Sequence, residues 1–281
     1  MILVFGKTGQ VARSLADVEG ARRMVQLSRA QADLSDPTAC AAQIRQHRPK
    51  AVINAAAYTA VDRAEDEESL ALTINGHAPG AMAQTCADLG IPFLHVSTDY
   101  VFAGTGKDPH KPTDPTHPQN AYGRTKLASE VAVRAAGGVH AILRTSWVFS
   151  EYGANFVKTM LRLSETRDAL SIVNDQFGGP TPARDIAQAL LTMADGLQAG
   201  QGGGTYHYAG TPTTSWDCLA RETFKQAGRA VTVTGIPASN YPTSAKRPLN
   251  SRLDCGSLEI DFGILPLPWQ DDLTRILKVL A

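Results

Sequence analysis

Cysteine is scarce in this chain of 281 residues, with four in all. Cys40, Cys86, Cys218 and Cys255 stand far apart, with no C-x-x-C pair and no spacing that suits a metal. That pattern argues against a disulfide framework or a zinc module. It leaves the reduced thiols of a cytoplasmic protein as the expectation. Neither sign of charge is in excess, since Lys+Arg and Asp+Glu number 27 each and the formal net charge is zero. A nucleic-acid binder or a membrane-surface protein working through bulk charge is therefore not expected. No apolar run approaches the ~20 residues that a membrane span needs. Met1 leads straight into the apolar Ile2-Leu3-Val4-Phe5 without a basic leader, so nothing points to export. What is present is ordinary for a globular chain: 43% hydrophobic residues, over a length that suits one large domain or two unequal ones.

The apolar run at Ile2–Phe5 is followed by Gly6-Lys7-Thr8-Gly9-Gln10-Val11-Ala12 and then by a helical pattern through Leu15 and Val18. This reads as strand, glycine turn, helix. The glycines permit a tight turn and close backbone approach, and the helix N-terminus offers free N–H groups to a pyrophosphate. An ordinary strand–helix turn with two glycines is the competing reading. A second strand at Met24–Leu27 ends in Ser28-Arg29, with no acidic residue to hold a ribose 2′-hydroxyl. A hydroxyl followed by an arginine suits a 2′-phosphate, which favours NADPH and leaves NADH as a second option. The alternative is that Arg29 is a solvated loop residue.

Residues 32–34 read as a very short strand, with Asp33 placed to accept from an adenine amino group. A helix then starts at Ser35 or Asp36 with Pro37 in its first turn, and Arg48-Pro49 ends it. Ala51–Asn54 is on this count a fourth strand, opening into the small residues Ala55, Ala56 and Ala57 before Tyr58 and Thr59. The acidic stretch 62–68 reads as a solvated helix start. Residues 73–89 read as a helix closed by Gly90, and 92–97 as a fifth strand. Strands alternating with helices over about 125 residues predict an α/β fold of Rossmann type, with a doubly wound parallel sheet.

Two stretches carry the chemistry. Ser97-Thr98-Asp99-Tyr100 follows the fifth strand, at a strand end where open α/β sheets place ligands. Tyr122-Gly123-Arg124-Thr125-Lys126 sets a tyrosine and a lysine at i and i+4, on one face of a helix. An ammonium beside a phenol favours the phenolate, so Lys126 is expected to lower Tyr122 from the usual value of about 10. A tyrosine so tuned exchanges a proton with a sugar or alcohol oxygen. Alone, Tyr-x-x-x-Lys is a common chance pattern.

The second half reads as a strand at 141–144, helices at 152–163 and 185–197, and short strands at 171–173 and 230–236. A strand at 205–209 has the option of returning to the main sheet. Another helix begins at Trp216, which reads as a buried anchor with a functional role as the alternative, and Trp269–Leu280 closes the chain. Arg247, in a basic loop, suits a substrate diphosphate or else is a surface cation. The organisation expected is a dinucleotide-binding domain over 1–150 and a smaller α+β substrate lobe over 151–281.

Gly6-x-x-Gly9-x-x-Ala12, Asp33-Leu34, Asn54-Ala55-Ala56-Ala57, Ser97-Thr98-Asp99-Tyr100-Val101-Phe102 and Tyr122-x-x-x-Lys126 stand in the order of the extended short-chain dehydrogenase/reductases. Within that superfamily the chain resembles the dTDP-4-dehydrorhamnose reductase family. The likeness extends through Arg144-Thr145-Ser146-Trp147-Val148-Phe149, Asn155-Phe156, Asn174-Asp175-Gln176-Phe177-Gly178 and Arg247-Pro248. It implies reduction of the C4 ketone of dTDP-6-deoxy-L-lyxo-4-hexulose to dTDP-L-rhamnose. It also implies that Tyr122 is the proton donor, that Lys126 binds the nicotinamide ribose, and that Thr98 bonds the reacting oxygen. Asp99, Tyr100, Trp147 and Asn155 would meet the substrate. Gly6, Gly9, Gln10 and Val11 would contact the pyrophosphate, Ser28, Arg29, Asp33 and Leu34 the adenosine end, and Ala57, Tyr58 and Thr59 the rest of the cofactor.

Some members of that family hold magnesium at a dimer interface through glutamates. Ser14 and Arg184 stand at two of those positions here, so no structural magnesium is expected, and a monomer or weak homodimer is. The resemblance leaves alternatives. One is a sugar-nucleotide dehydratase or epimerase of this superfamily, but dehydratases would show Asp-Glu after the threonine, where this chain has Asp99-Tyr100, and epimerases hold NAD, which Ser28-Arg29 does not favour. A reductase of another 4-keto sugar nucleotide is a second. A non-catalytic cofactor-binding regulator resembling the methionine adenosyltransferase β subunit is a third.

Overall fold

A computed structural model describes residues 1–18, 20 and 23–280. Five strands, β1 (Ile2–Phe5), β2 (Met24–Leu27), β3 (Ala51–Asn54), β4 (Phe93–Thr98) and β5 (His140–Thr145), join the strand Gly204–His207 in one six-stranded sheet. All its neighbours are parallel. The order across the sheet is Gly204–His207, β5, β4, β3, β1, β2. The winding therefore reverses between β1 and β3, and the loops leaving those two strands part to form a crevice.

Alternation along β1 feeds two cores. Ile2 and Val4 pack on one face with Ile53, Leu94 and Leu143, while Leu3 and Phe5 pack on the other with Val52, Phe93 and Ile142. Strands buried on both faces read as unbroken apolar runs, which is why they are visible in the sequence. The first face is covered by α1 (Gln10–Val18) and by the helix Ala183–Gln198, which lie against each other. The second is covered by α2 (Pro37–His47) and, beyond the short α3 (Glu68–Leu72), by α4 (Ala78–Leu89) and α5 (Ala121–Ala135). The Asp36 side chain caps α2 by accepting from the Ala39 amide at 2.9 Å, with Pro37 in the first turn. Gly90 ends α4 at φ 66°.

The structure corrects several local expectations. Residues 32–34 are not a strand. The Gln31 and Ala32 amides turn back to the Ser28 carbonyl, and the Asp33 carboxylate takes the Ser35 amide, so the backbone groups are satisfied locally. Ala51–Asn54 is thus the third strand. The expected helix 73–89 is interrupted by one π-helical turn, Thr73–His77, ahead of α4. The helix expected from 152 begins at Phe156, because Asn155 caps it by accepting from the Lys158 amide at 3.1 Å. The acidic stretch is more than a solvated start. Glu65 accepts from the Ala121 amide, Glu68 grips Arg124 through two bonds of 2.8 Å, and Asp62 grips Arg247. These acids pin the first turn of α5 and the loop 245–247.

Beyond residue 150, helices Phe156–Leu163 and Trp216–Gln226 pack on a parallel pair, Ala169–Val173 with Thr232–Ile236, around Met160, Leu170, Phe224 and Val233. Trp269–Leu280 closes a further cluster with Phe149 and Val157. The chain returns to the main sheet in between, through Ala183–Gln198 and the strand Gly204–His207 beside β5. Among the described residues no helix is long and apolar enough to cross a membrane.

Candidate active site

The crevice has a volume of about 830 Å³ and runs across the carboxyl ends of β1, β3 and β4. At one end lie Arg29, Asp33 and Leu34; at the other lie Thr98, Tyr100, Tyr122, Lys126 and Trp147. Between them its floor is the glycine turn and the Ala55–Ala57 segment. Gly6 has φ +114°, and a Cβ there would sit 3.4 Å from both Ala12 and the Ala55 backbone. Gly9 faces open space. The first amides of α1 have no partner within the helix and stand at this turn. An elongated, glycine-floored crevice of this kind fits a dinucleotide, with its phosphates at the turn.

The adenosine end departs from expectation in detail. Arg29 is exposed and bonds Asp33 through Nε at 3.0 Å. The Asp33 carboxyl is held below its ordinary value by the Ser35 amide first and then by Arg29. Ser28 is turned away: its hydroxyl donates to Gln31 at 2.8 Å, and it does not line the crevice. Gln10 lines the crevice, but its side chain links the lobes, accepting from Ser150 at 2.8 Å and Asn155 at 3.0 Å. Val11 and Thr59 also line the wall, as does Tyr58, whose amide donates to Asn75 at 2.8 Å.

The other end is built by β4 running into a 3₁₀ turn, Asp99–Val101, against the start of α5. Thr98 caps that turn, accepting from the Tyr100 amide at 3.2 Å and donating to Asp99 at 3.0 Å. Asn120 caps α5 by accepting from the Gly123 amide at 2.8 Å. Gly123 is required there, because a Cβ would strike the Tyr100 carbonyl. That contact brings the Tyr100 and Tyr122 rings edge to face, 5.5 Å apart. Asp99 lines the crevice but is almost wholly buried, and its carboxyl is engaged by Ser251 and Thr98, so it holds Thr98 in place.

Lys126 is also buried, and its Nζ donates to the Val96 carbonyl at 2.7 Å. Burial brings its amine down to about 7, against the opposing charge of Glu130. Tyr122 moves the other way from expectation. Burial, then the Asp99 charge, push its phenol up to about 12, and a bond from Thr98 only moderates the rise. Desolvation of the phenolate and the neighbouring Asp99 charge together outweigh the one bond that favours it.

Trp147, expected to meet the substrate, lines this end of the crevice and has φ +49°. Its indole stacks on Trp216 with centroids 3.5 Å apart, and a Cβ on Gly178 would lie 2.7 Å from it. Trp216 thus backs a crevice residue instead of serving only as an anchor, and it donates to Gln176 at 3.1 Å. Two other expected residues lie off the crevice. Asn155 is engaged by its cap, Gln10 and the Ser150 carbonyl. The Arg247 guanidinium is engaged by Asp62 at 2.7 and 3.0 Å. Sequence reading missed His95, Glu130 and Ser251. Nothing in local spacing points to them, because their partners come from distant elements.

Asp99 makes a pH prediction. Burial pushes its carboxyl up to about 6, while bonds from Ser251 and Thr98 oppose the rise. A carboxyl raised in the folded state binds its proton more tightly than when unfolded. Its contribution to stability is then whole below about pH 4 and is lost as pH rises through about 6. Between those limits roughly 2–3 kcal/mol should disappear in the native protein and not in Asp99→Asn. Urea denaturation of both proteins at the two pH values checks this, and parallel behaviour would refute it.

The model of the RmlD substrate binding domain matches residues 1–281. The chain belongs to that family. A dTDP-4-dehydrorhamnose reductase of Sinorhizobium fredii is 42% identical over 287 residues, covering 99% of this chain and 97% of its own. The crystal structure of a dTDP-4-dehydrorhamnose reductase from Clostridium acetobutylicum superposes with a TM-score of 0.94, at 34% identity and 99% coverage of both chains. That of a dTDP-4-dehydrorhamnose reductase from Bacillus anthracis in complex with NADP superposes with a TM-score of 0.92, at 31% identity, covering 99% of this chain and 98% of that one. The Rossmann-type sheet of this RmlD-family chain is therefore shared with solved relatives along its length.

Proposed function

We propose that this chain reduces the C4 ketone of dTDP-6-deoxy-L-lyxo-4-hexulose to dTDP-L-rhamnose with NADPH, the last step of dTDP-rhamnose biosynthesis. The observation that carries the reading is the meeting of Tyr122, Lys126 and Thr98 at one end of a crevice whose other end is a glycine turn with Arg29 beside it. Similarity to dTDP-4-dehydrorhamnose reductases over nearly the whole chain supports the substrate, and the NADP complex of one relative supports the cofactor.

NADPH bound along the glycine turn supplies the hydride to C4. Tyr122 delivers the proton: its O–H bond breaks as a new O–H bond forms on the substrate oxygen, which gains negative charge. The raised phenol is protonated throughout the neutral range, so the donor is always loaded. Thr98, held by Asp99 and the Tyr100 amide, gives a second contact to that oxygen once its one hydroxyl hydrogen turns from Asp99 toward it. Trp147, braced by Trp216, orients the sugar ring. The partner in this reading is a sugar nucleotide, with neither nucleic acid nor membrane involved. Ser14 and Arg184, in place of the glutamates, favour a monomer or weak homodimer without structural magnesium. The location is cytoplasmic.

The test supplies purified protein with dTDP-4-keto-6-deoxyglucose and its 3,5-epimerase, once with NADPH and once with NADH. Absorbance of the reduced nicotinamide should fall only when protein, epimerase and sugar are all present, and faster with NADPH. Absence of sugar-dependent oxidation with either cofactor defeats the proposal.

A further inference from the structure

Beneath Lys126 lies a buried polar chain that the reduction described above does not use. Asn54, at the end of β3, accepts from the Ala56 amide at 3.2 Å through its side-chain oxygen. Its amide nitrogen, thereby fixed, lies 3.2 Å from Nδ1 of His95 on β4. An amide nitrogen only donates, so Nδ1 accepts and the proton of the neutral ring sits on Nε2. That Nε2 faces two groups on α5: the Ser129 hydroxyl at 2.9 Å and the Lys126 amine at 3.1 Å. Ser129 donates onward to the Lys126 carbonyl, so its oxygen is open to the Nε2 proton. His95 and Ser129 are both fully buried.

The chain has a polarity. Lys126 already donates one N–H to the Val96 carbonyl. An ammonium has no acceptor site, and an Nε2–H pointed at it leaves two donors face to face. An uncharged amine instead turns a lone pair toward that proton and shares it with Ser129. To accommodate an ammonium, His95 must move its proton to Nδ1. That sets N–H against the Asn54 amide, which the Ala56 backbone holds in place. The same Ala55–Ala57 segment lines the crevice.

We propose that His95 is a positioning residue for the ketone reduction: it anchors the Lys126 amine below Tyr122 and sets the pH at which that amine takes up its proton. This rests on the reductase reading above. The depressed amine and a ring held well below its ordinary value accord with it; for His95 the cause is burial first and Lys126 second. Other charged and titratable groups around the pair have partners of their own or lie on the far side. Glu130, one turn along α5, is clamped by Arg144 from β5 and bonded by Ser97 from β4. Asp99, from the 3₁₀ turn, bonds Thr98 and Ser251. Glu65 takes the Ala121 amide, Glu68 of α3 pairs with Arg124, and His77 at the π-helical turn is exposed. Cys86 of α4 is a buried neutral thiol.

The experiment compares wild type, His95→Gln and His95→Phe in the NADPH assay across pH. Glutamine can turn its oxygen toward the amine, so the limb of the kcat profile that reports Lys126 should move up by about one pH unit or more. Phenylalanine offers neither donor nor acceptor, and kcat should fall about tenfold or more with a smaller change in KM. Profiles that coincide with wild type would overturn the proposal. Should both variants fail to fold, ¹⁵N-histidine NMR of the wild-type protein decides. A neutral His95 ring protonated at Nε2 through the neutral range upholds it, and a charged ring or a proton fixed on Nδ1 overturns it. If wild type itself shows no sugar-dependent oxidation, the reductase reading fails separately, and the NMR result still judges the hydrogen-bond chain.

Discussion

Replacing Tyr122 by phenylalanine should lower kcat by about 10²–10⁴-fold, the usual contribution of a positioned proton donor. The ring itself keeps its place. It packs edge to face with Tyr100 and near Ala64 and Ala121, and these contacts do not involve the hydroxyl. NADPH affinity and thermal midpoint should therefore change little, which separates a chemical defect from a folding one. The raised phenol adds a second expectation. Because it stays protonated through neutrality, the wild-type rate should not decline at moderately alkaline pH on account of Tyr122. Stopped-flow reduction under saturating sugar, with cofactor binding measured by fluorescence, reads both. A variant that turns over like wild type would remove Tyr122 from the chemistry.

Replacing Arg144 by methionine should destabilise the fold by about 3–5 kcal/mol, the cost of removing the buried partner of a buried carboxylate, which leaves Glu130 only the half-exposed Arg134 at 3.3 Å as a cation. Arg144 and Glu130 are almost inaccessible to solvent and meet through bonds of 2.8 and 2.7 Å. Burial pushes the Glu130 carboxyl up, yet the bonds and charge of Arg144 outweigh it and hold the group below the ordinary carboxylate range. Without Arg144 only the Ser97 bond and the more exposed Arg134 oppose burial, and the balance is expected to reverse. Glu130 would bind its proton more tightly folded than unfolded, so the variant should lose further stability as pH rises. Adding Glu130→Gln should restore part of the loss, since no charge is then stranded. Guanidinium denaturation of the three proteins at two pH values measures this. A loss below about 1 kcal/mol for Arg144→Met would place the pair among the energetically neutral ones. Ser97 bonds Glu130 at 2.7 Å beside Thr98, so the single variant should also blur the catalytic end.

The parts of the fold that were legible are those whose signal is local. β1 and β3 are apolar runs because both faces of the sheet are covered. The Pro37 helix start, the Gly90 stop and the Tyr122–Lys126 spacing each follow from the chain's own geometry. The crevice ends were legible for the same reason: Gly6, Gly9, Arg29 and Thr98 sit directly after strands. What stayed hidden is what distant residues do to one another. Asp62 and Glu68 look like solvent-facing acids until Arg247 and Arg124 arrive from elsewhere in the chain. His95 reads as one more residue of an apolar strand, and its meaning comes from Asn54 and Ser129. The expected downward pull of Lys126 on Tyr122 failed because spacing gives proximity but not the depth of burial, and burial prevails.

The return of Gly204–His207 to the far side of β5 has a consequence for how this protein can be divided. A fragment stopping near residue 150 would leave β5 with a bare row of backbone donors and acceptors, and β1, β3 and β5 stripped of the helix that roofs them. Such a fragment would be sticky at one border and greasy on one face. The first half is therefore no detachable module: the segments that roof and finish it are made only after the chain has begun the second lobe.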